Sequence, residues 1–190
     1  MATTHLPRRH TPADTTATAT HTAASSTHEY SAPVRFLAGL SRISLGWVFL
    51  WAFLDKTFGL GYATPSENAW LEGGSPTTGY LSGVDGTFAD FFNDMAGQGW
   101  ADWLFMIGLL GIGVALVLGI FVNIAALSGT VMLFLMWMAA LPLENNPFLD
   151  DHLVYGAVLI LLALMGAGRW LGLGAMWERL PFVEKSPVLR

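Results

Sequence analysis

The stretch WLFMIGLLGIGVALVLGIFV, residues 103–122, decides the fold. It is twenty consecutive residues without a charge, the length an α-helix needs to cross a hydrocarbon layer about 30 Å thick. Asn123 alone separates it from a second apolar run, Ile124 to Leu141, which Pro142 stops. Two such runs joined by one residue predict a tight antiparallel hairpin in lipid. Upstream lies a third run, Val34 to Leu54, with RFLAGLSRISLGWVFLWAFL as its body and Arg42 inside it. Downstream, His152 to Trp170 forms a fourth, entered through Pro147 with Asp150 or Asp151 as N-cap, and Leu171 to Trp177 reads as interfacial. The sequence therefore predicts an all-α, polytopic membrane protein, a four-helix bundle with a structured outer loop between its first two helices. Buried helices of a soluble core are the alternative, which four runs of this length oppose.

Composition agrees with lipid as the solvent. Of 190 residues 53% are hydrophobic and only 12% charged, outside the balance of an ordinary soluble domain. Cysteine is absent, which excludes disulfides, thiolate zinc sites and iron–sulfur clusters. Four of the five histidines, His5, His10, His21 and His28, lie in the N-terminal stretch and leave His152 in the membrane part. A bis-histidine haem inside one chain's bundle is thereby excluded. No metal site is expected, and no nucleic-acid partner.

Residues 1–33 are rich in Thr, Ala, Ser and His without apolar periodicity, and predict a disordered tail. Arg8 and Arg9 are not followed by an apolar region for more than twenty residues, so the tail is expected to stay inside rather than to be a cleaved export signal. Residues 34–177 then form the membrane domain and 178–190 a second tail. Basic residues set the orientation. Arg8, Arg9, Arg35, Arg42, Arg169, Arg179, Lys185 and Arg190 fall on one side of a four-span arrangement and Lys56 on the other, with seven acidic residues in 55–102 and three in 142–151. Both termini are expected in the cytoplasm of a multi-pass cell-membrane protein, and both acidic loops outside.

The first loop carries Trp70, Tyr80, Phe88, Phe91, Phe92 and Trp100. Phe88, Phe91, Phe92 and Met95 recur at helical spacing and predict a short helix on the membrane surface or capping the bundle, with another turn or two over Ser66 to Leu71. Gly111, Ala115 and Gly119 repeat every four residues and predict close helix packing on that face, assisted by Ser128 and Gly129 in the third span and Gly156, Ala163 and Gly166 in the fourth.

An ionisable side chain in a membrane helix is a functional candidate by default. Arg42 lies thirteen residues before Asp55, roughly 20 Å at the helical rise, which places it near the inner boundary. It shares a face with Gly39, Gly46 and Lys56; snorkelling to lipid phosphates is the plain alternative. Asp151 and Arg169 lie five helical turns apart on one stripe with Tyr155. If the first and fourth spans are neighbours, Asp55, Lys56, Asp150, Asp151, His152 and Tyr155 converge at the outer end. Histidine titrates near neutrality and suits proton transfer coupled to redox chemistry, an interfacial histidine with satisfied bonds being the alternative. The loop Gly73-Gly74-Ser75-Pro76-Thr77-Thr78-Gly79 allows backbone N–H groups and hydroxyls to form an anion-binding nest, or else a plain Gly/Pro turn.

Four spans, the pattern Arg42…Gly46…Asp55-Lys56 and the stretch Asn146 to Tyr155 resemble the DoxX family over about Arg35 to Trp177. Within it, Gly74-Ser75-Pro76-Thr77…Gly79 and Gly168-Arg169…Leu171-Gly172-Leu173-Gly174 are similar to the DoxD-type large subunit of thiosulfate:quinone oxidoreductase. The resemblance implies a membrane subunit that passes electrons from a small sulfur anion to a quinone, working with a second subunit. His152, Tyr155, Lys56 and Asp151 are the catalytic candidates, and Arg42, Asp55, Gly74, Ser75, Thr77 and Arg169 the binding candidates. An apolar bundle can hold a quinone, whereas the acidic outer surface repels a dianion. The competing reading is a non-catalytic membrane scaffold that recruits a redox partner, and a homo-oligomer is open to either. A small transporter is disfavoured, since the four spans show no inverted repeat.

Overall fold

The computed structural model describes Met1 and residues 30–189. The tail expected over 1–33 therefore lies outside the described residues except at its two edges, and Ala32 and Pro33 already belong to the first helix. Helix α1 runs over Ala32–Phe58, with Pro33 in its first turn and Gly59 in the left-handed conformation as its stop. Two turns of 3-10 helix (Ser66–Asn68, Trp70–Glu72) and two short helices, α2 (Thr78–Leu81) and α3 (Ala89–Asn93), follow. The long helices α4 (Gly99–Leu118) and α5 (Val122–Ala139) come next, then α6 (Asp151–Leu164), a 3-10 turn at Ala167–Arg169, α7 (Gly174–Trp177), α8 (Pro181–Glu184) and a last turn at Pro187–Leu189.

Among the described residues three helices, α1, α4 and α5, are long and apolar enough to cross a membrane. Leu104, Ile107, Leu127, Val131, Leu161 and Leu164 are exposed along α4, α5 and α6, an apolar surface that water would not tolerate and lipid does. The protein is thus an all-helical, polytopic membrane protein with three long apolar spans. Helix α6 has 14 residues, about 21 Å at the helical rise, and stops well short of the nineteen residues its sequence predicts. The chain breaks there because Gly166 turns left-handed at φ 68° and sends residues 167–171 back under the bundle.

The hairpin differs in the same way. Asn123 lies inside α5, and the reversal is made by Gly119, Ile120 and Phe121, with Gly119 at φ 77° ending α4 and Phe121 at φ 52° starting α5. Helix α4 consequently sits four residues earlier than the expected span, over Gly99–Leu118 rather than 103–122.

The most extensive helix contacts are α1 with α4 and α5 with α6; α4 meets α5, and α1 touches α6 and the turn at 167–169 that follows it. Met106, Leu116, Ala126 and Leu159 are wholly buried between them, where close van der Waals packing supplies the cohesion. The close approach of α1 and α4 is made by Gly46, whose Cα faces the Cβ of Leu116, and by Gly113, where an added Cβ would lie 2.8 Å from the backbone nitrogen of Leu50. The expected stripe holds in part: Ala115 packs against the core and Gly119 lies against the Gly168 carbonyl, whereas Gly111 faces open space and its place is taken by Gly113. Between α5 and α6, Gly129 meets Leu159, and Thr130 Oγ1 donates to the Gly156 carbonyl at 3.2 Å.

At the other end of the helices the first loop is folded. Leu81, Val84 and Phe92 bury themselves with Ala139 of α5, and Phe88, Met95 and Met138 pack around them. The aromatic repeat therefore yields a cap on α5, with a helix of only five residues. The chain after Trp170 is also folded: Val183 is fully buried, Trp177 stacks near Phe121 and Phe182, and its Nε1 donates to the Leu189 carbonyl at 2.6 Å.

Candidate functional site

The sequence candidates fall into separate groups rather than one site. At the start of α6, Asp150 is the N-cap, its Oδ1 accepting from the Leu153 N–H at 3.3 Å. Its other oxygen, Oδ2, lies 2.6 Å from His152 Nδ1, and Asp151 Oδ1 is 3.5 Å from the same nitrogen. A carboxylate only accepts, so the proton sits on Nδ1, and Nε2 is left as an acceptor without a hydrogen-bond partner among the described residues. An imidazole with one nitrogen held by a carboxylate and the other open is the arrangement general acid–base chemistry uses. The ligand-type atoms of these three residues lie within 4.8 Å of one another, close enough to meet one cation, although Asp150 already spends both oxygens on the cap and the imidazole.

The preceding loop holds this group in place. Asn146 Oδ1 accepts from the N–H groups of Phe148 and Leu149, and Trp137 Nε1 donates to the Phe148 carbonyl at 3.1 Å. Tyr155, three residues beyond His152 and on the same side of α6, has a hydroxyl without a hydrogen-bond partner among the described residues. Tyr80 of the first loop reaches over from α2 to donate to the Met136 carbonyl at 3.3 Å. Burial, with the charge of Asp150 adding to it, pushes the Tyr80 phenol above its ordinary pKa. The first loop therefore does lean over the α5–α6 end, through a residue that no pattern in the sequence singles out.

Lys56 and Asp55 are adjacent without being paired. Asp55 is buried, and its carboxylate accepts from the N–H groups of Tyr62 at 3.3 Å and Ala63 at 3.0 Å, which folds the chain back after α1. Lys56 is half-buried with its ammonium 6.0 Å from the ring centre of Phe105 in α4. Among the described residues no hydrogen bond or ion pair joins Lys56 to Asp150, Asp151 or His152.

The loop of residues 73–79 is a cradle that the chain itself fills. Asp102, in the first turn of α4, accepts at Oδ1 from Ser75 Oγ (2.8 Å), Thr77 Oγ1 (2.6 Å) and the Thr77 N–H (3.1 Å). The N–H of Gly74 goes to the Ala69 carbonyl, and a Cβ on Gly74 would collide with Asn68. The donors of Ser75 and Thr77 thus answer an internal carboxylate, and that of Gly74 a backbone carbonyl.

Arg42 and Arg169 stand at the opposite end. Arg42 is fully buried and donates to the carbonyls of Leu116 and Val117 at the end of α4 and of Ala167, Trp170 and Leu171 after α6. This corrects the snorkelling alternative: the guanidinium satisfies orphan carbonyls at the negative end of a helix. Arg169 forms an ion pair with Glu178 at 2.6 Å, a bond that raises its pKa. Comparison with protein-family models, curated proteins and solved structures finds no match to this chain. Asp150, read in the sequence as a cap and as one of the residues converging at the outer end, proves to be the partner of His152; the residues missing from the sequence-derived set are Asp102 and Tyr80, whose partners lie 25 and 56 residues away.

Proposed function

We propose that the chain is a DoxX-like membrane subunit of a quinone-linked oxidoreductase. In this reading α6 completes a four-helix bundle, both termini face the cytoplasm, and the end carrying His152 lies outside. The electron source is a small sulfur anion such as thiosulfate, handled together with a second subunit. The observation that carries the proposal is the 2.6 Å contact of His152 with Asp150, one helical turn from the Tyr155 hydroxyl, which has no hydrogen-bond partner among the described residues. A quinone takes up two electrons and two protons on reduction. His152 supplies a proton-bearing nitrogen held in one tautomer, and Tyr155 supplies a second hydrogen-bonding group at the apolar edge of α6. Lys56, on the same end of the bundle, is a further donor without an ion-pair partner among the described residues. The distribution of basic and acidic residues between the two ends supports the orientation.

The test is to extract the protein in mild detergent and identify the apolar molecule that accompanies it. Quinone in near-stoichiometric amount, lost in His152→Ala, is the expected result.

A second reading, a non-catalytic scaffold that recruits a redox enzyme, has its own support. Arg42, Asp55 and Asp102 are all buried, and all are spent on the chain's own backbone and loop, so these groups fix architecture and leave no charge for a ligand. A protein that carries no quinone but retains a soluble enzyme would favour it.

A further inference from the structure

At the Arg42 end a cavity of about 220 Å³ opens between the α4–α5 reversal, the end of α6 and α7. Its walls are of two kinds. Val122, Ala163, Leu164 and Met165 make an apolar side, while Arg169 and Glu178 stand on the rim. Gly166 adds no bulk, since nothing lies within 4 Å of where its Cβ would be. Leu164, the last residue of α6, is 81% exposed, and Leu161 and Leu127 continue an apolar, exposed surface away from the mouth. The cavity therefore opens sideways at the level where the lipid-facing parts of α5 and α6 end.

The rim presents a cation and an anion side by side. Arg169 Nε and Nη2 engage Glu178, and its Nη1 makes no hydrogen bond among the described residues. The arginine side chain is half exposed, so those donors remain available. A carboxylate carries about four acceptor positions, and the ion pair does not exhaust those of Glu178.

We propose that this cavity binds one phospholipid whose headgroup is a zwitterion with a primary amine. The phosphate accepts from Arg169 Nη1, the ammonium donates to Glu178, and the first carbons of the acyl chains lie against Val122, Ala163 and Leu164. The charges decide between lipid classes. An anionic headgroup meets Arg169 as a zwitterion does but brings no ammonium to answer Glu178, and a quaternary ammonium has no N–H to give a carboxylate. Free phosphate leaves the apolar wall without a partner. The proposal does not rest on the quinone reading, which uses His152, Tyr155 and Lys56 at the opposite end of the helices.

The experiment is lipid competition on the whole chain. Detergent-purified protein is equilibrated with an equimolar mixture of phosphatidylethanolamine, phosphatidylcholine and phosphatidylglycerol, and retained lipid is counted by native mass spectrometry. Phosphatidylethanolamine should be retained about tenfold over the other two, the effect of one charge-assisted hydrogen bond. Glu178→Gln should bring it level with phosphatidylcholine, and Ala163→Leu, which fills the cavity, should lower the retention of all three. Equal retention of the three lipids by the unaltered protein, or phosphatidylglycerol ahead, overturns the proposal. Since that comparison needs no substitution, the misfolding of a variant leaves the test intact.

Discussion

Thr77 Oγ1 donates a 2.6 Å hydrogen bond to Asp102 Oδ1, across 25 residues, and so ties the first loop to the opening turn of α4. Ser75 Oγ and the Thr77 N–H share the same oxygen. Asp102→Ala would leave a nearly buried N–H and two hydroxyls without their acceptor, at a cost of about 1–3 kcal/mol. Melting in detergent should fall accordingly, and limited proteolysis should quicken within residues 73–98. An unchanged cleavage rate would mean that the loop is held chiefly by Leu81, Val84 and Phe92.

Arg42 fastens three parts of the chain at once: α1, the end of α4 and the turn after α6. Arg42→Met should strand several buried carbonyls, each worth about 1–3 kcal/mol, and lower the melting temperature more than any single core Leu→Ala. Arg42→Lys should rescue little, because an ammonium lacks the planar fork that reaches acceptors on two sides. A variant that melts like the unaltered protein would show these carbonyls to be satisfied by water.

Gly113 and Gly111 make a matched pair on one helix. Gly113→Leu forces a side chain into the Leu50 backbone, whereas Gly111→Leu enters open space. Small-to-large changes in packed positions cost about 1–3 kcal/mol or more, so the first should destabilise strongly and the second hardly at all. Equal melting temperatures would mean that α1 and α4 do not meet on this face.

That pair also shows what a sequence can and cannot disclose. The apolar runs are legible because lipid demands length and excludes charge, and those demands act on composition alone. Helix ends are not: α4 contains Gly108, Gly111 and Gly113 without interruption, and it stops at Gly119 because that residue turns left-handed where Arg42 waits for the last carbonyls. A four-residue repeat of small residues likewise marks a possible contact, and which side a helix presents depends on its neighbour. His152 is legible as a candidate because it is alone in the membrane part. Its 2.6 Å partner sits only two residues away, yet a capping aspartate and a histidine partner look alike in sequence until both oxygens are placed. The tie between Asp102 and Thr77 leaves no periodic trace at all, since it joins a loop to a helix start across two intervening short helices.

The two oxygens of Asp150 allow its structural and chemical roles to be separated. Oδ1 caps α6 by accepting from the Leu153 N–H, and Oδ2 holds the Nδ1–H of His152. Asp150→Ala removes both contacts and should cost about 1 kcal/mol of stability, as loss of an N-cap does. Asp150→Asn keeps a capping oxygen, so its melting point should stay close to that of the unaltered protein. Its amide, however, places a donor opposite Nδ1, which moves the imidazole proton to Nε2 and takes away the free acceptor. If His152 serves a quinone, Asp150→Asn should lose quinone reduction or binding while remaining stable, and Asp150→Ala should lose both stability and turnover. Measuring melting and quinone occupancy on the same two preparations distinguishes the cases: an Asp150→Asn protein with undiminished quinone occupancy and turnover would leave the His152–Asp150 pair as a fixture of the helix start and favour the scaffold reading.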